Sequence, residues 1–389
     1  MDQATNPYAE SSLVCSVCMI GVALIGVVVN ALTIHIFIRR QPLSSIHVLL
    51  SGLAFADVLL LITAGPLYAS VALYSYVISL DPPAPTPVVL NLEKVMAYMA
   101  VYLYPVTSIF QTLSVWIVVL ITVDRYIAVS HPFLARVTCT KHRAISALII
   151  LSVLSVCYNA IRIFDYDLVE ETDAVEETGL LQTHLIVVHA LRSNQAYLSI
   201  YSHWMYFVFI FALPFAVLLF LNALVVIAIR EAQQCRAFLS RQRKTEYATA
   251  TMMTLVTIIF LLCNALAFAV NAMEAFGASY STDETKETKN KTISDQSAES
   301  PPHSHLFYFL IDLSNFLVMT HCTSNFSVYV AFSKQFRYQC RLFFTCTSRK
   351  RSTSEGVHLV CQKEDSVTIS LLRFKRQKMK VPRVQCSFV

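Results

Sequence analysis

The sequence predicts an all-α membrane protein: a seven-transmembrane helix bundle with a short amphipathic cytoplasmic helix after the last span. Three observations carry this. The 389 residues are 56% hydrophobic and only 14% charged, more apolar surface than a soluble chain of that size can hide from water. The apolar residues collect in seven runs, each reaching or approaching the ~20 residues that cross the hydrocarbon as a helix. Lysine and arginine divide unevenly between the connecting segments. Of the 30, six (Lys94, Arg162, Arg192, Lys286, Lys289 and Lys291) fall on one side and the rest on the other. Excess positive charge marks the cytoplasmic side, so the amino terminus (residues 1–12) is expected outside and the carboxyl terminus in the cytoplasm.

The first run, about residues 13–38, has no basic stretch before it and is long enough to span, so it is read as a retained helix. It carries Asn30. The second, 46–70, holds Asp57 in mid-span, where an ionisable group costs a few kcal/mol unless partnered; it should face the bundle interior. The third, 95–123, ends in Asp124-Arg125-Tyr126, with His131-Pro132 close behind. Ser114 lies roughly 16 Å along that helix from Arg125, at ~1.5 Å per residue, level with Asp57. Asp57, Ser114 and Asn325 are therefore expected to form a polar cluster. It reads either as a structural hydrogen-bond network or as an oxygen-ligand site for a sodium ion. The fourth run, 144–164, ends in Tyr158-Asn159-Ala160-Ile161-Arg162. The fifth, 201–229, contains Pro214, and the sixth, 249–275, contains no proline. The seventh, 305–332, contains Asn325-Phe326-Ser327-Val328-Tyr329. Residues 13–332 together make the helical domain.

The inner connectors (39–45, 128–143, 231–248) are short and polar. Outside, 167–195 is acidic, and 278–303 is too polar to pack and reads as mobile. The latter holds the sequon Asn290-Lys291-Thr292, a glycosylation acceptor on the outer side. Residues 333–345 alternate basic and aromatic side chains at helical spacing, as for a helix lying in the interface against anionic lipid. Cys346 is either a palmitoylation site or an unmodified cysteine. The tail 346–389 reads as disordered and phosphorylatable at Ser352, Thr353, Ser354, Ser366 and Thr368. The eleven cysteines show no metal-ligand or redox spacing; Cys157, Cys263 and Cys322 are expected as buried apolar residues. No acid–base pair, phosphate loop or metal set supports enzymatic chemistry, so no cofactor and no nucleic-acid partner are expected.

Asn30, Asp57, Asp124-Arg125-Tyr126, Pro214 and the Asn325–Tyr329 motif, in that order and spacing, resemble the landmarks of the rhodopsin-like G-protein-coupled receptors. Phe326 stands in the proline position of the last motif. The resemblance implies a multi-pass plasma-membrane receptor whose Arg125, paired with Asp124 at rest, is released to contact a heterotrimeric G protein. Tyr126, Pro132 and Phe133 would frame that contact, and Asn325 and Tyr329 take part in activation. Arrestin and a receptor kinase are implied as further partners. Tyr247 stands where many relatives carry an acidic partner for Arg125, with Glu246 as a substitute. Thr107 replaces the Asp of amine receptors, and Met319 the retinal Lys of opsins.

Tyr158-Asn159-Ala160-Ile161-Arg162, Leu191-Arg192, Tyr197, Tyr201, His203-Trp204, Gln111-Thr112 and Glu274-Ala275-Phe276 resemble the invertebrate FMRFamide-type neuropeptide receptors. That branch implies a short extracellular peptide ending in Arg-Phe-amide. Its guanidinium would seek Glu274, Asp312 or Asp165; Thr107, Gln111, Tyr197, Tyr201 and Trp204 would line the cavity for its aromatic ring. The alternative for each aromatic is an interfacial anchor. The chain departs from the superfamily where Ala100 replaces the cysteine of the usual extracellular disulfide. It departs again where Asn264-Ala265-Leu266-Ala267 replaces Cys-Trp-x-Pro. Rival readings are a receptor for another peptide or a chemosensory ligand, and a membrane transporter, which lacks the expected repeat halves.

Overall fold

The computed structural model describes residues 7–39, 44–79, 87–174, 181–188, 191, 194–234, 241–287 and 303–350. Asn290 and the tail beyond residue 350 lie outside them. Cys346 and Glu274 sit on described helices, but their side chains are not among the described ones.

Among the described residues, seven helices are long and apolar enough to cross a membrane. The first two are α1 (Pro7–Ile38) and α2 (Ser45–Ser79). The third span starts as α3 (Pro87–Tyr98), widens into a π-helical segment over Met99–Leu103 and continues as α4 (Tyr104–Ser130). Helix therefore runs past the expected end at residue 123 and carries Asp124-Arg125-Tyr126 on its last two turns. Pro132 then starts the short α5 (Pro132–Thr138), at the first helical position, where a missing N–H costs nothing. The fourth span is α6 (Lys141–Asn159), capped by Thr140 and closed by a 3₁₀ turn, Ala160–Phe164. The acidic connector folds as an antiparallel hairpin, β1 (Asp167–Ala174) against β2 (Leu181–Val188), with Asp167 opposite Val188 and Ala174 opposite Leu181. Expected only as a polar separator, it contains a β-branched run ending Ile186-Val187-Val188 that favours strand.

The fifth span begins as α7 (Gln195–Tyr197), passes through π-helical Leu198–Met205 and Phe207–Ala212, and becomes α8 (Leu213–Gln234). Both spans with π-helical segments have a proline just beyond them, Pro105 and Pro214. Proline cannot donate to the carbonyl four residues back and its ring crowds it; those carbonyls, of Val101 and Ile210, lie inside the widened turns. The sixth span, α9 (Arg241–Glu287), holds no proline and is one unbroken helix of 47 residues. α10 (His303–Phe332) completes the bundle. A second unit starts at Lys334 and contains the helix α11 (Lys334–Lys350), longer than the 333–345 expected.

Met19 and Ala23 of α1, Leu60, Leu61 and Ala64 of α2, and Met319 and Cys322 of α10 form one buried cluster. Val129, Val225, Ile229 and Ala250 form another between α4, α8 and α9. Cys322 is buried as expected, but Cys157 is exposed and Cys263 intermediate. The correction has a simple cause: an apolar bundle presents its outer face to lipid, so thiols need not point inward.

Gly26 permits the α1–α2–α10 contact. A Cβ there would stand 2.4 Å from Thr323 Oγ1 and 2.5 Å from Leu61 Cδ1, and Thr323 is held by its bond to Met319 O at 3.1 Å. Gly26→Ala is expected to destabilise the solubilised protein by roughly 1–3 kcal/mol through overpacking. Thermal unfolding in detergent checks this; an unchanged midpoint would mean that α1 does not seat this closely.

Candidate functional site

At the far end of α4 the charged triplet forms a closed ion-pair network. Arg125 is buried, and its Nη2 and Nε donate to Asp124 Oδ2 at 2.5 and 3.2 Å. Its Nη1 donates to Glu246 Oε2 at 3.1 Å, bringing in α9. Ser45 at the start of α2 donates to the other Asp124 oxygen at 2.9 Å. The Cys139 thiol lies 3.7 Å from the Asp124 carbonyl. Burial first, then the nearby Asp124 carboxylate, pushes that thiol up to about 11, so it stays protonated and donates. Tyr126 packs edge-on to His131 and against the Val129 cluster. Phe133 is 82% exposed on α5, one residue after Pro132.

In the middle of the bundle the three polar residues expected at one depth meet. Ser114 Oγ donates to Asp57 Oδ1 at 2.6 Å and Asn325 Nδ2 to Asp57 Oδ2 at 3.0 Å, joining α2, α4 and α10. All three are buried, Asp57 completely. Asn325 Oδ1 has no hydrogen-bond partner among the described residues. Asn30 Nδ2 donates to the carbonyls of Gly26 and Cys322, each at 3.0 Å, tying α1 to α10. Tyr329 is buried edge-on against Phe37.

At the end opposite Arg125, the arrangement centres on Arg162, which is 1% exposed. Its guanidinium carbon lies 5.4, 5.5 and 4.8 Å from the ring centres of Tyr104, Tyr201 and Tyr206, and Nη1 donates to the Tyr104 hydroxyl. The 3₁₀ turn places Asp165 on the same side, since residues three apart eclipse in that helix. Arg162 Nη1 and Asp165 Oδ2 are 4.0 Å apart. Tyr197 donates its phenol proton to Asp165 Oδ1. Tyr201 donates to the Tyr158 carbonyl, and Tyr206 to Gln111 Oε1 at 3.2 Å. Asn159 Nδ2 bonds Thr112 Oγ1 at 2.9 Å. Thr107 is buried, its hydroxyl without a hydrogen-bond partner among the described residues.

Of the carboxylates considered for an incoming cation, Asp165 is not open: it is fully buried and already faces Arg162. Asp312 is buried on α10 beside Ser12. Trp204 packs edge-on to Phe276 at 5.0 Å. Sequence reasoning missed Tyr104, Tyr206 and the inward role of Arg162, which had counted as an outer-side charge and as the end of the Tyr158–Arg162 motif. The spacing of Tyr104, Thr107 and Gln111, three and four residues apart on one helix face, was a usable signal.

A family model described as 7 transmembrane receptor (rhodopsin family) matches residues 29–329. The FMRFamide receptor of Drosophila melanogaster is 29% identical over 359 residues, which cover 91% of this chain and 58% of that protein. The FMRFamide peptide receptor frpr-18 of Caenorhabditis elegans is 31% identical over 329 residues, covering 84% of this chain and 68% of that protein. The chain thus spans less than two thirds of the Drosophila relative's length. The family match runs from the later part of α1, just before Asn30, to Tyr329 in α10, and the chain belongs to the rhodopsin family of seven-transmembrane receptors.

Proposed function

We propose that this receptor binds an extracellular FMRFamide-related peptide ending in Arg-Phe-amide and in response activates a heterotrimeric G protein. The amino terminus and the Arg162 end face outward; the Arg125 end and the tail face the cytoplasm, as the lysine and arginine distribution favours. The observation that carries the signalling half is the closed Arg125 network. A buried cation held by Asp124 of its own helix and Glu246 of α9 is a two-state element: moving α9 removes Glu246 and opens the inner face. A ligand shifts the population only through its differential affinity for the two states. Freed Arg125, with Tyr126, Pro132 and Phe133, then meets the G protein. The receptor makes and breaks no covalent bond in this cycle.

The ligand half rests on the relatives' peptide specificity and on the aromatic, polar lining at the opposite end. Gln111, Thr107, Tyr201 and Tyr197 line the cavity, and Asp312 and Glu274 are the carboxylates for the ligand guanidinium, a pairing that can be bidentate and short. The Asp57 cluster would also suit a sodium ion. Its donors are hard oxygens, the preferred ligands of hard cations, and Asn325 Oδ1 has no hydrogen-bond partner among the described residues.

The test is expression with a promiscuous G protein and a panel of Arg-Phe-amide peptides, reading calcium. A dose-dependent response is expected, with potency reduced at least tenfold in Asp312→Asn or in Glu274→Gln. Silence across the panel, with surface expression confirmed, removes the peptide assignment and leaves family membership intact.

A further inference from the structure

Arg162 and Asp165 carry an unusual set of unmet hydrogen bonds. Arg162 Nε and Nη2 and Asp165 Oδ2 have no hydrogen-bond partner among the described residues, although both residues are almost wholly buried. An unmet buried polar atom costs about 1–3 kcal/mol, more when charged, so native proteins keep few of them without a reason. The Arg162 Nη1 to Asp165 Oδ2 separation of 4.0 Å is beyond hydrogen-bond length, so the two do not satisfy each other. The site therefore offers donors on one side and an acceptor on the other, and its charge sums to zero.

That pattern selects a ligand chemistry. An incoming cation would meet Arg162, and an incoming carboxylate would set a second negative charge against buried Asp165. A neutral group with one acceptor and N–H donors suffers neither penalty. A primary carboxamide is such a group: its oxygen and nitrogen sit roughly 2.3 Å apart, given its C=O and C–N bonds. With a hydrogen bond of roughly 2.9 Å on each side it bridges a donor and an acceptor several ångströms apart. From these unmet atoms, and resting on the peptide reading above, we infer that the Arg162–Asp165 pair anchors the carboxamide at the ligand's carboxyl end.

The carboxamide oxygen accepts from Arg162 Nε or Nη2, and its nitrogen donates to Asp165 Oδ2. Tyr104, Tyr201 and Tyr206 surround the guanidinium and keep water from competing. Tyr197, half-buried and bonded to the other Asp165 oxygen, belongs to a three-residue helix that runs into a π-helical segment. A short element of this kind can yield to let the ligand in. Asp165 thus recognises the peptide's end cap, and the peptide's guanidinium is left to Asp312 or Glu274.

The experiment compares one Arg-Phe peptide as its amide, free acid and methyl ester on the full chain in cells, with surface expression measured. Sites built to hydrogen-bond a group reject analogues that lack it by large factors. The amide is expected to be at least roughly 100-fold more potent than the acid and roughly tenfold more potent than the ester, which has no N–H to give Asp165. Asp165→Asn supplies an N–H2 toward a carboxylate, so the acid-to-amide potency ratio should narrow roughly tenfold or more. A ratio is insensitive to expression level, which separates recognition from a merely structural role. Equal potency of amide and ester on the unsubstituted receptor overturns the anchor while the peptide reading stands. An unchanged ratio in Asp165→Asn also overturns it. Silence to all three peptides overturns the peptide reading and this inference together.

Discussion

Arg125→Ala is expected to abolish ligand-stimulated nucleotide exchange on the G protein, a loss of at least roughly tenfold, with surface expression retained. Glu246→Gln should move basal exchange the other way. The two results together test the latch, since a merely destabilised receptor would lose signal in both. Arg125 holds Asp124 through two bonds at 6% side-chain exposure, while the Glu246 side chain is 40% exposed. The Glu246 pair is therefore discounted for solvent screening and is worth about 0.5–1 kcal/mol. Removing it shifts an off–on equilibrium by roughly two- to fivefold, at 1.4 kcal/mol per tenfold. Basal exchange measured with a slowly hydrolysed nucleotide should rise by that factor. Unchanged basal exchange in Glu246→Gln would show that α9 is not held through this pair, and undiminished signalling in Arg125→Ala would end the proposed coupling mechanism.

Asp57→Ala is expected to be the most damaging change to stability in the bundle interior. It strands the Ser114 hydroxyl and the Asn325 amide, both buried, and releases the junction of α2, α4 and α10. Interhelical hydrogen bonds in membranes contribute about 0.6–1.7 kcal/mol each, and a stranded buried donor costs about 1–3 kcal/mol. A loss of about 2–4 kcal/mol should lower the thermal midpoint in detergent by roughly 5 °C or more. Asp57→Asn keeps an acceptor at the same place and should lose less than half as much. A midpoint within a degree of the parent for Asp57→Ala would show that this contact does not hold the helices together.

Much of this was legible before any coordinate. Asp57, Ser114 and Asn325 could be brought together by depth alone, because helical rise converts residue number into height and a membrane charge has to turn inward. Other features resisted for equally definite reasons. Glu246 lies one residue from the expected position of an acidic partner, about a quarter-turn around the helix, and sequence cannot say whether its side chain reaches Arg125. It does, at 3.1 Å. Asp165 looked like an exposed lure for a cation. A 3₁₀ turn instead of another α turn swings it beneath Arg162. The hairpin between the fourth and fifth spans was hidden by its acidic composition, which masked the β-branched run at its end.

Hydropathy, length and residue order were enough to establish seven crossings and the family landmarks. Those properties are sums over consecutive residues against a lipid solvent, so order along the chain suffices. Which polar groups meet, and which are left wanting a partner, depended on helix rotation and on local widening or tightening of single turns. A hydrogen bond tolerates only a few tenths of an ångström, and one-dimensional spacing does not carry that precision. Arg162, in the chain one residue of a short motif, becomes a caged guanidinium only once three tyrosines from two other spans close around it.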